Sequence, residues 1–284
     1  MSNNFWKSFS IVLHVLFEEI EIQQKMFTEA YTSGDDELVN VLIEYTEIDP
    51  SLNNNYAIRV ASENGYIAVV DRLLQDGRVN PSADNNYAIR VASHNGHIAV
   101  VDRLLQEPKN RVDPSAVDNY AIRYASYKGH IAVVDRLLQE PKNRVDPSAD
   151  NNFAIRWASR NGHIAVVDRL LQDETGRVDP STYYNTAIRM ASENGHIAVV
   201  DILLQDRRVD PSDNYNSAII WASRYGHIAV VERLLQDRRV DPYTINNIAI
   251  CLASENGHLA IVERLKQEAM SRVKKLDTQT QTQT

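Results

Sequence analysis

The sequence predicts an all-α solenoid, a stack of paired antiparallel helices joined by projecting turns. Three observations predict it. A string close to Asn-Gly-His-Ile-Ala-Val-Val-Asp-Arg-Leu-Leu-Gln recurs along the chain, its glycine falling at Gly65, Gly96, Gly129, Gly162, Gly195, Gly226 and Gly257, always 31 or 33 residues apart. Each copy carries two stretches of helical periodicity on either side of that glycine. A proline precedes every copy at a fixed place, 15 residues before its glycine: Pro50, Pro81, Pro114, Pro147, Pro180, Pro211 and Pro242. Repetition at this period is the mark of a chain built from stacked identical pieces. A worn copy centred on Gly34 precedes the seven clear ones. Residues 23–275 therefore read as one solenoid, although the 284-residue length alone suggests about two domains.

Residues 1–22 come first. Phe9, Val12, Leu13, Leu16 and Ile20 share one helical face, which predicts a helix capping the exposed apolar end of the stack. The segment is too short to span a bilayer and lacks the Lys/Arg-rich polar face of a membrane-surface helix. Nor does it resemble a secretory or transit signal, since Glu18, Glu19 and Glu21 follow its apolar run.

Within a unit, the first helix covers Tyr-Ala-Ile-Arg-Val-Ala-Ser at 56–62, where Ala57 and Ala61 let a neighbour approach closely. Gly65 ends it, because glycine adopts the left-handed conformation at little cost. The second helix runs from Tyr66 to about Gln75. Ile67, Val70 and Leu74 form its apolar stripe, widened by Val69 and Leu73, while Asp71 and Gln75 face water. The Val-Asp-Pro-Ser connector is extended, since proline disfavours helix in the residue before it. The 33-residue spacings place their two extra residues in the polar turn, as at Glu107-Pro108-Lys109-Asn110. Asn55, Asn86, Asn119, Asn152, Asn185, Asn216 and Asn247 stand before the first helices. They are expected as N-caps, or alternatively as a hydrogen-bond ladder between repeats. At the far end Lys266 replaces the second leucine of Leu-Leu and faces water. Residues 276–284, alternating Thr and Gln, are expected to be a disordered tail.

These residues resemble the ankyrin repeat: the Gly-His pair, Val-Val-x-x-Leu-Leu in the second helix, and Ala-Ser where that family commonly has Ala-Ala. The resemblance spans nearly the whole chain. It implies a curved solenoid with a protein-binding concave surface and no catalysis. Its Thr-Pro-Leu-His segment is here Tyr56-Ala57-Ile58-Arg59 and copies. Its hairpin glycine is here Asn54, Asn85, Asp118, Asn151 and Asn246, residues that tolerate left-handed geometry. Tyr184 and Tyr215 at that place call the usual turn into question in two units. The variant repeat is similar to arrays encoded by large amoeba-infecting DNA viruses.

Composition narrows the function. The chain has 30 Lys+Arg against 38 Asp+Glu, a formal net charge of −8, and so lacks the basic surface that displaces phosphate counterions. No nucleic acid and no membrane partner is expected. Cys251 is the one cysteine, so an internal disulfide is impossible. It is read as a half-buried small residue, and an intracellular, cytoplasmic setting and a monomer are expected. Six histidines sit in Gly-His pairs: His97, His130, His163, His196, His227 and His258. Stacking sets neighbouring copies about 10 Å apart, one helix-packing distance. That is too far to share a zinc ion whose ligands lie ~2 Å away. They are expected to bond backbone at helix starts. Ser62 and its copies lack a His-Asp constellation and are read as packing residues. No phosphate-binding loop is present. No cofactor, metal or catalytic residue is therefore expected.

Arg59, Arg90, Arg123, Arg156 and Arg189 form a row that stops at Ile220. It is read as structural, bonding carboxylates or carbonyls of the next unit; a basic strip for an acidic partner is the alternative. Trp157 and Trp221 are read as core. The binding face is sought where units differ. Tyr127, Lys128, Arg160, Arg224 and Tyr225 vary at the ends of first helices, and Tyr183, Tyr184, Tyr215, Tyr243 and Ile245 vary near the turns. The resemblance puts both sets on the concave side, and aromatics with arginine dominate interface hot spots. These ten residues are the candidate protein-binding set of a non-enzymatic scaffold or adaptor. The alternative function is substrate recruitment to a host ubiquitin ligase through the N-terminal helix.

Overall fold

The computed structural model describes residues 19–108, 111–173 and 176–281, with 244–246 and 273–281 described in their backbone alone. It divides into two compact units, residues 1–121 and 122–284, the division falling within helix α7 (Ala116–Lys128). Among the described residues every regular element is a helix.

In the first unit a helical segment over 19–33, here α1, is followed by α2 (Asp36–Tyr45), α3 (Leu52–Asn64), α4 (Ile67–Gln75), α5 (Ala83–Asn95) and α6 (Ile98–Leu105). First helices stack on first helices, α3 against α5. Second helices stack on second, α2 against α4 and α4 against α6. The second unit repeats the scheme. Its first helices are α9 (Ala149–Arg160), α11 (Thr182–Glu193), α13 (Asp213–Arg224) and α15 (Thr244–Glu255). Its second helices are α8 (Ile131–Leu138), α10 (Ile164–Leu171), α12 (Ile197–Leu203), α14 (Ile228–Leu235) and α16 (Leu259–Gln281).

The core follows from the periodicity. Val69, Val70 and Leu73 are fully buried and their equivalents in every later unit are buried too, and each such side chain contributes about 1.5–3 kcal/mol of burial. Ala57, Ile58 and Ala61 supply the facing layer. One stripe position differs from expectation: Ile67 is exposed, as are Ile98 and Ile164, because the helix begins there and the position faces out of the pair. Asp71 is half-exposed and bonded to Arg103, and Gln75 is exposed.

Five of the inter-repeat asparagines make the bonds of the ladder alternative. The serines that precede α3, α5, α9, α11 and α13 (Ser51, Ser82, Ser148, Ser181 and Ser212) make no side-chain cap bond. Asn55 Oδ1 accepts the Asn80 amide of the next unit at 2.6 Å. Asn86, Asn152, Asn185 and Asn216 do the same for Asp113, Asp179, Asp210 and Asp241. The segment before each first helix is a left-handed turn of three residues, as at Asn53, Asn54 and Asn55 with φ of 53°, 58° and 57°. Left-handed geometry costs roughly 1–2 kcal/mol per ordinary L-residue, and least for Asn and Asp. Tyr184 (φ 56°) and Tyr215 (φ 59°) keep that same turn, so the doubt raised by their side chains is settled against a changed turn.

A second arginine row went unread in the sequence. Arg78 donates to the Ile48 carbonyl and Arg111 to that of Val79. In the second unit Arg177, Arg208, Arg239 and Arg272 reach the carbonyls of Val145, Val178, Val209 and Val240. The first five each tie one connector to the connector before it, and Arg272 ties α16 to the last connector.

The ends differ in part from expectation. Phe9, Val12, Leu13 and Leu16 lie outside the described residues, and Ile20, expected on the covered face, is exposed. The helix over 19–33 runs through the proposed boundary at 22, burying Phe27, Ala30 and Tyr31. At the other end α16 continues to Gln281, taking in most of the segment expected as a tail. Arg264 and Arg272 both pair with Glu268 along its surface, one helical turn to either side. Residues 282–284 are outside the described set. Lys266 is exposed, as its place in the terminal helix requires, and Cys251 is exposed rather than half-buried. No helix among the described residues is long and apolar enough to cross a membrane.

Candidate protein-binding surface

Within each compact unit, interfaces between repeats are built from the Gly-His pair. Gly162 ends the first helix of its unit at φ 74°, and the ring of His196 from the next unit lies over it. A Cβ added there would come within 2.7 Å of His196 Nδ1. The same ring donates Nε2–H to the Arg160 carbonyl at 2.9 Å. His97, His163, His227 and His258 bond the carbonyls of Glu63, Tyr127, Glu193 and Arg224 at 2.9–3.0 Å. A carbonyl can only accept, so these rings carry their proton on Nε2. Tyr66 takes the histidine's place over Gly34.

The first arginine row faces outward from the first helices, interleaved with rings. Arg59 lies between Tyr56 (5.3 Å) and Tyr87 (5.4 Å). Arg90 lies between Tyr87 (5.5 Å) and Tyr120 (5.3 Å). Burial, then the nearby Glu63 carboxylate, raises the Tyr87 hydroxyl above its ordinary pKa. In the second unit Arg123 sits over Phe153 at 5.2 Å and Arg156 over Tyr183 at 5.1 Å. Hydrogen bonding divides the row. Arg59 and Arg123 pair with a carboxylate of the next turn, Asp84 at 3.0 Å and Asp150 at 2.7 Å. Arg90 and Arg156 instead bond carbonyls of their own turn, Asn85 and Asp84 for the first, Asn151 and Asp150 for the second. These bonds hold the left-handed turn from outside. Burial lowers the Arg156 guanidinium from its usual pKa.

Of the candidate residues, three gather with Trp157. Tyr127 meets that indole edge-on at 5.8 Å, Arg160 stacks over it at 4.8 Å, and Lys128 lies 5.5 Å from the Tyr127 ring. Phe153 and Tyr124 extend the cluster. Trp157 is half-buried and belongs to this surface rather than to the core, which Ala154, Ile155 and Ala158 fill. Trp221 is the same: Tyr225 stacks on it at 6.1 Å and Arg224 covers it at 5.2 Å. Tyr183 and Tyr184, 52% and 70% exposed, line a shallow concavity of about 390 Å³ with Arg156, Thr186, Arg189 and Met190. Tyr215 lies exposed on the following turn. Tyr243 is half-buried with its hydroxyl donating to the Leu265 carbonyl at 2.7 Å, so part of it serves the packing of α16. The Ile245 side chain lies outside the described residues. Trp157 and Trp221 are legible as aromatic variants at a position held elsewhere by Val, Tyr, Met or Leu, but their bulk points to surface clusters rather than to burial.

Comparison with known proteins agrees with this architecture. Among curated proteins none matches the chain. A family model described as ankyrin repeats (3 copies) matches in three overlapping windows, residues 89–182, 122–215 and 157–246, which together cover more than half of the sequence. Such repeats generally serve as protein–protein interaction modules rather than catalysts. The Gly-His seams, the paired helices and the family match lead to one conclusion: the chain belongs to the ankyrin repeat family.

Proposed function

We propose that the protein is a non-enzymatic scaffold that holds a partner protein against the aromatic and cationic surface of residues 122–284. The observation that carries this reading is the cluster of Tyr127, Lys128, Trp157 and Arg160. Large rings and a guanidinium stay partly accessible on a helix whose core is already filled by alanine and isoleucine. Amphipathic rings and arginine give the most binding energy per residue at interfaces. The net charge of −8 supports a protein partner over a nucleic acid. An intracellular setting, as for the viral arrays whose repeat this one resembles, fits an exposed Cys251 thiol, which persists where the surroundings are reducing.

The test is a pull-down or proximity labelling in the native cell with Tyr127→Ala, Trp157→Ala and Arg160→Ala combined. Loss of partners with unchanged helical circular dichroism is expected. Full retention of every partner overturns the reading.

A further inference from the structure

The arginine row contains its own example of what an unfilled position binds. Counting from the connector proline, Asp84 and Asp150 stand three residues after Pro81 and Pro147, and they pair with Arg59 and Arg123. Three residues after Pro211 stands Asn214, on the turn following Arg189. Arg189 accordingly has no carboxylate partner among the described residues. Its Nη2 donates to Thr186 Oγ1 at 3.0 Å, and its Nε is buried without a partner. The aromatic rung is missing as well, since Thr186 and Ser217 occupy the places of Tyr56, Tyr87, Tyr120 and Phe153. The concavity lined by Tyr183, Tyr184, Thr186, Met190, Arg156 and Arg189 lies where those groups would have been. Arg156 spends Nε and Nη2 on turn carbonyls, so its positive charge is met there by dipoles and not by a carboxylate bond. The comparable concavity around Arg90 differs, because that guanidinium is held between two rings.

We propose that this concavity receives a carboxylate side chain from an acidic segment of the partner protein. That carboxylate takes the place at Arg189 which Asp84 and Asp150 take at Arg59 and Arg123, with Tyr183 and Tyr184 covering the residue's aliphatic stem. The inference rests on the scaffold reading above and names the chemistry of the partner.

A library of displayed random dodecapeptides, selected on the full chain, tests it. Selected peptides are expected to carry Glu or Asp at a constant position. Replacing that residue by Gln or Asn should weaken binding at least about tenfold, the loss of a charge-assisted hydrogen bond. Arg189→Gln should do the same. Asn214→Asp supplies the carboxylate internally, so it should also cost about tenfold or more while leaving the melting temperature equal or higher, which separates occupancy of the site from damage to the fold. Acidic peptides that bind Asn214→Asp and Arg189→Gln as well as wild type overturn the proposal. So do selected peptides without acidic residues, although loss of those on Trp157→Ala would leave the scaffold reading standing. Competition by octauridylate as strong as by peptide also overturns it, in favour of a nucleic acid. A selection that yields no binder overturns both readings.

Discussion

Gly162 and Gly257 hold nearly the same backbone angle, φ 74° and 76°, in different surroundings. At Gly162 the histidine of the next unit occupies the space a Cβ would need; at Gly257 nothing lies within 4 Å. Gly257→Ala should therefore lose only the conformational term, about 1–2 kcal/mol. Gly162→Ala should lose that plus the displacement of His196 and its bond to the Arg160 carbonyl, about 2–4 kcal/mol in all. Urea midpoints of the two variants measure the difference, and equal losses would mean that the ring over the glycine contributes nothing. The serines beside the core alanines make the opposite case. Ser62, Ser93, Ser126, Ser159, Ser192 and Ser223 are fully buried with Oγ bonded to nothing. A buried hydroxyl without a partner destabilises, and alanine has the higher helix propensity. Ser159→Ala should raise stability by about 0.5–1.5 kcal/mol; a lowered urea midpoint would show that the hydroxyl has a partner in solution. The serine positions and the glycine caps could be read directly, because one residue's backbone preference or size decides them.

At the scale of the element, the left-handed turn holds the largest difference between reading and structure. Asparagine before a helix suits a cap and a cross-repeat bond equally well, so spacing alone left both open. Three successive left-handed residues are a further step that single-residue preference does not suggest, since such residues ordinarily occur alone. What decides it is tertiary. The Asn55 acceptor serves the next connector, and Arg90 and Arg156 bind the turn carbonyls from outside. Tyr184 pays no such structural service, being 70% exposed in a conformation asparagine tolerates better. Tyr184→Asn should raise the melting temperature by a few degrees, through roughly 1 kcal/mol of relieved strain, and weaken partner capture. If the variant is less stable than wild type, the tyrosine ring is a packing residue after all. The Arg-Val-x-Pro row was in plain view as a repeat, yet its function depends on a carbonyl some 30 residues away, which no local pattern displays.

For the whole molecule, the titratable pairs within the connectors set the response to acid. Asp76, Asp206 and Asp237 are held below the ordinary carboxylate range first by the side-chain hydrogen bonds of Arg78, Arg208 and Arg239. Asp49 is held down by Ser51. A carboxylate depressed in the folded state binds protons more readily once unfolded, so its contribution is complete above the unfolded value, about pH 4, and is lost as pH falls below it. Stability measured from pH 7 downward should stay level to about pH 5 and then decline. Combining Arg78→Gln, Arg208→Gln and Arg239→Gln should flatten that decline; an unchanged acid limb would remove these pairs as its cause. The repeat count, the helix pairing and the family were legible because the pattern recurs many times over. The recognition surface was legible only as a set of variable positions. Which of them meet, as Tyr127, Trp157 and Arg160 do, depends on neighbours two helices away in sequence.

The histidine seam has a consequence for how such chains can diversify. Its acceptors are the carbonyls of Glu63, Tyr127, Arg160, Glu193 and Arg224, positions whose side chains differ between units. Every residue type offers an identical carbonyl. A mutation that rewrites the recognition chemistry at those sites leaves the bond between neighbouring repeats untouched. Duplicated copies can therefore drift in specificity without a matching change in the adjoining copy, so new binding surfaces arise by single substitutions rather than by coupled pairs.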